Sequence, residues 1–362
     1  MSNLHTKEAP TRKKLLSAHL KRSIFMLAAV ISLSWLVGCS TGTAGTSSSN
    51  DTSQGQAATT TTQNQPQAQT KPASNTSAAK GKLQITDMAG RIVEFEKVPE
   101  RIVVLTKGDL DVLYALGGQA VGRPSFRGKV SPEAAKDAIE VVSGHQASIE
   151  KIALAKPDVV IASKDVHEGQ VAAIEAIQTK VILTQANSVQ DILKSIALIG
   201  ELTNRKDEAV KVTAQIQSVI DTAKGTAQAK APKALLVYGA PGSFAAALPT
   251  SLPGNLLELA GGTNVASDYP QLKQYTQYAE LSVENVVASN PDIIFLLTHG
   301  NPEEVKKSFT KEMEQNAAWK NLAAVRAGKI VVLPATLFGT NPGTKVGEAL
   351  TTLQQALKVK QQ

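Results

Sequence analysis

The chain has 362 residues, is 42% hydrophobic and carries a formal net charge of +7, which is enough material for roughly two ordinary domains. Lys7, Arg12, Lys13, Lys14, Lys21 and Arg22 face only Glu8 in the first 23 residues, so +5 sits there and only +2 on the remainder. A nucleic-acid binder clusters its basic residues on a folded face, and this distribution excludes one.

The basic segment is followed by an apolar run, Ile24–Val37. Its 14 residues fall short of the roughly 20 that a spanning helix needs, and the pattern reads as the charged and hydrophobic regions of a signal peptide. Cys39, the single cysteine, cannot form an intramolecular disulfide. Leu36-Val37-Gly38-Cys39 resembles a bacterial lipobox. The resemblance implies that residues 1–39 are a lipoprotein signal peptide, that Cys39 is diacylated, and that the chain is anchored on the extracytoplasmic face of the cell membrane. Residues 40–80 are Ser, Thr, Gln, Ala, Asn and Gly with almost no apolar bulk. Such a stretch reads as a disordered tether.

Lys82–Ile85 and Ile92–Phe95 alternate around Asp87-Met88-Ala89-Gly90, which predicts a hairpin. Arg101–Leu105 is a continuous β-branched run and predicts a buried strand. Asp109–Leu116 has helical spacing and ends at Gly117-Gly118. Val159–Ala162 and Val181–Leu183 predict further strands with helices between, an α/β lobe with a largely parallel sheet. From Ser188 to Ala229 there is no strand pattern. Ile192, Ile196, Ile199 and Leu202 form one helical stripe, and Val210, Ile216, Val219 and Ile220 a second, together one helical segment of about 40 residues. Alternation resumes with Ala234–Tyr238, Ile293–Leu297, Ile330–Leu333 and a final helix from about Thr344. The expected organisation is an N-terminal lobe over 81–200, a linking helix over 201–230 and a C-terminal lobe over 231–362.

An internal repeat supports two related lobes. Ser148–Ile161 matches Ser282–Phe295 at a constant offset of 134 residues. Each copy has a Ser cap, an acidic residue in the first turn (Glu150, Glu284), a short helix, a Pro-Asp stop and a buried strand.

Arg101-Ile-Val-Val-Leu105, Ala115-Leu-Gly117, Glu150-Lys-Ile with Lys156-Pro-Asp-Val-Val160, Leu256–Gly262 and Asn290-Pro-Asp-Ile-Ile294 are similar to the iron-complex and cobalamin substrate-binding proteins of ABC importers. The resemblance covers about residues 83–357. It implies an α/β fold of two Rossmann-like lobes joined by a single long rigid α-helix, with the ligand cleft between them. It further implies a monomer that serves an ABC permease and its ATPase, with Glu150 and Glu284 pairing permease arginines, one per lobe. A helical spine resists bending, so ligand binding is expected to close the lobes only slightly. No Gly-x-Ser-x-Gly elbow, phosphate-binding glycine loop or His-Glu-x-x-His is present, and catalysis is not expected. Asp165, His167 and Glu168 do not complete a zinc set.

Ligands of open α/β sheets sit beyond the carboxyl ends of the strands. That rule selects the loops carrying Lys107, Arg123, Arg127, His145 and His299. Asn301 caps the next helix, with Pro302 at its first position, and this fixes His299 on a short strand-to-helix loop. Thr298–Glu304 and Asn316–Leu322 resemble the Gram-positive haem-receptor lipoproteins. In that group a His at this place ligates haem iron, which makes His299 the expected axial ligand. The first-lobe ligand of the group is a Met near positions 145–147. None stands there in this chain, and His145 is the expected substitute. Tyr275 and Tyr278 are alternative iron ligands through their phenolates. Lys107, Arg123 and Arg127 are expected to meet anionic oxygens. Haem is the favoured transported ligand, with a ferric siderophore as the alternative and cobalamin a weaker one; no permanently bound cofactor is expected.

Overall fold

Continuous runs of Val, Ile and Leu leave no polar face for water, so they become strands covered on both sides. The computed structural model describes residues 82–126, 128–224, 231–240 and 242–358. These lie in one unit spanning Asn75–Gln362. The expected signal peptide with Cys39, the expected tether and Arg127 lie outside the described residues.

The expected hairpin forms from β1 (Leu83–Thr86) and β2 (Ile92–Phe95), antiparallel with Leu83 opposite Phe95 and Thr86 opposite Ile92. Asp87 organises its turn, accepting bonds at Oδ1 from the N–H groups of Ala89 and Arg91. The first large sheet comprises β3 (Ile102–Val104), β4 (Ala120–Pro124), β5 (Ile139–Ser143), β6 (Gln146–Ala147), β7 (Val159–Ser163) and β8 (Lys180–Thr184). Their order is β6-β5-β4-β3-β7-β8, parallel throughout except for the terminal β5–β6 pair.

The second sheet departs from the expected parallel plan. Its strands are β9 (Lys233–Ala240), β10 (Ser243–Ala247), β11 (Thr263–Asn264), β12 (Tyr278–Glu280), β13 (Ile293–Thr298) and β14 (Ile330–Leu333). The order is β12-β10-β9-β13-β14, with β11 beside β9. Here β9, β13 and β14 are parallel, but β10 runs antiparallel to both β9 and β12. The chain reverses between Ala240 and Ser243, where Gly242 takes φ +78, a left-handed conformation that costs glycine little and suits a tight hairpin. Both sheets are therefore mixed.

The helical region is also divided. A 14-residue helix, Val189–Leu202, is followed by a 19-residue helix, Lys206–Lys224. Asn204 takes φ +54 between them, a left-handed stop of the kind that ends helices. A Cβ on Gly200 would lie 2.5 Å from that of Ala209, so the two helices touch at the corner. Val189–Leu202 buries Val189, Ile192, Ile196, Leu198, Ile199 and Leu202 in the same core as the first sheet. It is a packed helix of that lobe, whereas Lys206–Lys224 buries only Ala209, Ile216, Ile220 and Ala223.

The two halves also meet directly. Asn341 donates from Nδ2 to Asp109 Oδ1 at 3.2 Å, and Thr344 donates its N–H and hydroxyl to Asp111 Oδ2 at 2.9 and 2.5 Å. The N–H of Val189 donates to Asn255 Oδ1 at 3.0 Å. One apolar core runs from Ile85 and Val104 through Ile216 to Phe295 and Leu353.

Both repeat copies are built alike. The Ser148 hydroxyl accepts from Lys151 N–H and the Ser282 hydroxyl from Asn285 N–H, opening helices Ile149–Ala155 and Val283–Ser289. Lys156 and Asn290 close them at φ 48 and 39. The Asp of each Pro-Asp then ties down the neighbouring central strand: Asp158 accepts from the N–H of Arg101 and Asp292 from that of Lys233.

Candidate ligand-binding site

In an αβ unit the helix runs back against its strand, so the helix start and the strand end lie at one edge of the sheet. Ser143-Gly144-His145-Gln146 turns between β5 and β6 just before the first repeat helix, and His299 follows β13. The structure brings these two together. The rings of His145 and His299 are stacked, 5.7 Å apart between centres and inclined by 25°. Both are exposed. Gln170 holds the His145 turn, accepting from Ala147 N–H at 2.9 Å and donating to the His145 carbonyl at 3.4 Å.

His299 is placed by its backbone. Its N–H donates to Gly239 O at 2.8 Å, which extends the β9–β13 ladder by one bond beyond Thr298. Asn301 caps helix Pro302–Gln315 by accepting from Glu303 N–H. Tyr238, at the end of β9, brings its hydroxyl to 3.2 Å from His299 Nδ1. Its ring also packs on Tyr278, 5.3 Å between centres. Burial raises the phenol of Tyr238, with a smaller contribution from Tyr275, and pushes that of Tyr278 up to about 12. Both are neutral at pH 7, and a phenolate at Tyr278 would be formed against that burial. Tyr275 is 57% exposed and its carbonyl accepts from the N–H of Tyr278.

A second group lies where β3 and β4 end. Lys107 Nζ sits 5.0 Å from the centre of the Phe126 ring, and the Arg123 guanidinium carbon 5.9 Å from it, so two cations lie over one aromatic ring. Arg123 is partly engaged, with Nη1 donating to Pro124 O at 3.0 Å and pairing Glu140 at 3.3 Å. Its Nε is buried and has no partner among the described residues. Lys107 is exposed.

His167, which the sequence suggested only as part of an incomplete zinc set, is 2% exposed. Its Nδ1 accepts from Ser163 N–H at 3.2 Å, which assigns the ring proton to Nε2. That nitrogen has no partner among the described residues. Burial first, and the nearby His145 second, lower its pKa to about 4, so it is neutral at pH 7. No group of three or more His, Cys, Asp or Glu among the described residues is arranged to hold a metal ion.

Sequence reasoning does not single out Tyr238 or Phe126, and takes His167 only as part of an incomplete zinc set. Tyr238 ends a strand that reads as core, and only the register Leu297–Tyr238 places it beside His299. Phe126 lies in a loop beyond β4, and only the fold brings Lys107, from another strand end, over its ring.

Residues 102–337 match the model of the periplasmic binding protein family. The chain belongs to that family. Its members are binding proteins and not enzymes, and this chain is a substrate-binding protein of the ABC-importer type. It is 32% identical over 265 residues to the high-affinity heme uptake system protein IsdE of Staphylococcus aureus strain Newman, a match covering 72% of this chain and 86% of that protein. The crystal structure of S. aureus IsdE complexed with heme superposes with a TM-score of 0.64, covering 71% of this chain and 98% of that one. An ABC transporter substrate-binding protein from Listeria monocytogenes EGD-e is 30% identical, with a TM-score of 0.66 over 73% of this chain and all of that one. S. aureus SirA, solved with staphyloferrin B, shares the fold at 21% identity and a TM-score of 0.62, covering 77% and 99%. Among the described residues no helix is long and apolar enough to cross a membrane.

Proposed function

We propose that this chain is the extracytoplasmic lipoprotein that captures an iron complex, haem in first place, and hands it to an ABC permease. The spacing of His145 and His299 carries the reading. Two imidazoles on one metal place their ring centres about 6.3 Å apart, from roughly 2.0 Å of metal–nitrogen bond and about 1.15 Å from nitrogen to ring centre on each side. The observed separation is 5.7 Å. Iron would enter once the two stacked side chains turn their ring nitrogens toward it, with the ring centres moving apart by about half an ångström. The IsdE relative, named for heme uptake, adds support from outside the chain.

Lys107 and Arg123 serve the carboxylates of such a ligand in this reading. Glu150 and Glu284, exposed in the first turns of the two repeat helices, serve as docking points for permease arginines. Exposed Leu154 lies one turn from Glu150, and Val283 and Val287 flank Glu284, so each carboxylate has apolar surface beside it. Cys39 supplies the lipid anchor.

A ferric siderophore is the second reading, favoured by the cationic group at Phe126, which suits anionic oxygens without any protein ligand on iron. Cobalamin fares worse: Trp319, the one tryptophan of the described residues, is 2% exposed within the core of the second sheet and offers no stacking face. A visible-absorption titration of residues 40–362 with haemin separates these readings. The expected result is a saturable one-to-one Soret band that is lost in His299→Ala and shifted in His145→Ala. Absence of the band in the unmodified protein would refute haem, and ferric carboxylate and catecholate siderophores would then be titrated in its place.

A further inference from the structure

We propose that Tyr238 is a positioning residue that engages Nδ1 of His299 and accepts the hydrogen bond of its proton when Nε2 binds iron; this rests on the reading of His299 as an iron ligand. The strand register sets up the pair. Tyr238 of β9 stands opposite Leu297 of β13, and His299 is two residues beyond Leu297. Residues two apart on an extended chain face the same side, so the histidine comes round to the phenol. The bond from His299 N–H to Gly239 O carries the ladder past the last strand residue and keeps this relation. Tyr278 packs against the phenol ring at 5.3 Å. The phenol is therefore a fixed post on a sheet. Beyond the histidine, Gly300 at φ +106 turns the chain away toward the next helix.

The hydroxyl lies 3.2 Å from Nδ1 of His299, which leaves Nε2 as the nitrogen free for a ligand. A neutral imidazole has one N–H and one lone pair. If the phenol donates its hydrogen to Nδ1, the imidazole proton is on Nε2 and iron is excluded. If Nδ1 carries the proton and donates to the phenol oxygen, the lone pair is on Nε2 and iron can bind. A tyrosine hydroxyl serves either arrangement by turning its own hydrogen. Iron binding thus converts Tyr238 from donor to acceptor. Nε2 gives a proton to solvent, Nδ1 takes one up, and the phenol keeps its own, so the charge of the pair is unchanged. An acceptor on the far nitrogen of a ligating histidine fixes the ring and makes it a stronger base toward the metal.

Tyr238→Phe keeps the ring against Tyr278 and removes only the oxygen. The variant is expected to bind haemin about 10–100-fold more weakly, the usual effect of losing such a partner. The midpoint potential of the bound haem should also move in the positive direction, because a less basic imidazole stabilises ferric iron less. A merely structural role would alter thermal unfolding and leave the potential of the bound haem in place. Wild-type affinity and wild-type potential in Tyr238→Phe, with the Soret band still lost in His299→Ala, would overturn the role of Tyr238 alone. An unaltered Soret band in His299→Ala would overturn both that role and the ligation it rests on. A measurement on the unmodified chain reads the same bond: with gallium protoporphyrin bound, the Nδ1 proton of ¹⁵N-labelled His299 should be protected from solvent exchange, and exchange as fast as in a free peptide would overturn the proposal.

Discussion

Asn341→Ala tests the direct seam between the halves, and its effect can be worked out from Asp109. Asp109 is fully buried, and three side chains donate to its carboxylate: Thr106 and Thr184 to Oδ2 at 2.7 Å each, and Asn341 to Oδ1 at 3.2 Å. Burial raises its pKa, and the three donors oppose that rise. Removing Asn341 takes the only side-chain donor from Oδ1 among these bonds, worth about 1 kcal/mol as an ordinary hydrogen bond. It also strips Gly343 N–H of its acceptor, a 2.8 Å bond, worth about 1 kcal/mol. The expected loss at pH 7 is about 2 kcal/mol in urea unfolding. The pH dependence gives the sharper test. A carboxyl raised in the folded state binds its proton more tightly there than in the unfolded chain, so stability falls as pH rises from the unfolded pKa through the folded one. The variant raises that folded pKa further. Its deficit should therefore be small at low pH and grow as pH increases through the titration of Asp109. A deficit that is constant with pH, or below about 0.5 kcal/mol at pH 7, would refute the assignment of a donor-dependent Asp109 to the seam.

Other outcomes are expected elsewhere. His167 has its pKa lowered to about 4 in the folded chain, so the unfolded state takes up a proton first as pH falls from 6.5 toward 4, and stability is lost over that window, by up to about 3 kcal/mol. His167→Gln should flatten this dependence in urea unfolding followed from pH 4 to 7. Charge reversal at both Glu150 and Glu284 should abolish uptake in cells while leaving haemin affinity within about twofold, since both carboxylates lie outside the proposed iron site; lost affinity in the purified double variant would contradict docking. Cys39→Ser should release the chain from the membrane fraction into the medium or the soluble extract, as fractionation and immunoblotting would show.

What was legible in the sequence follows from what dominates each region energetically. The hairpin at Asp87–Gly90, the buried strands and the capped repeat helices are local: their periodicity and caps lie within about a dozen residues. The reversal after Tyr238 was not read as a hairpin, because β9 is a buried run followed by Gly-Ala-Pro-Gly, and such a loop is equally good at entering a helix. The single connector was expected because stripes of Ile and Val continue on both sides of Thr203-Asn204-Arg205, and an asparagine in a left-handed stop differs little in sequence from one on a helix surface. At the site, His145 and His299 could be named from loop position and resemblance. Their approach to 5.7 Å depends on packing between two halves of the chain, which no local pattern encodes. Tyr238 and Phe126 acquire their partners only through register and through side chains from other strand ends.

The internal repeat explains why histidines and tyrosines so distant in sequence meet. In each copy the chain arrives before a short helix, runs back through it, and returns along a buried strand. The residue before the helix and the residue after the strand must then emerge at the same edge of the sheet. In the first copy these flanks are His145 and His167; in the second they are Tyr278 and His299. The observed contacts connect those flanks: His145 faces His299, and Tyr238 bridges His299 and Tyr278. The first turns that carry Glu150 and Glu284 lie at these same edges, because a helix start is where the chain leaves the flank. A single structural unit used twice thus sets the proposed iron ligands at the facing edges and the proposed docking carboxylates beside them. In such an arrangement a small shift of one half against the other would move the proposed iron ligands and the proposed docking carboxylates together.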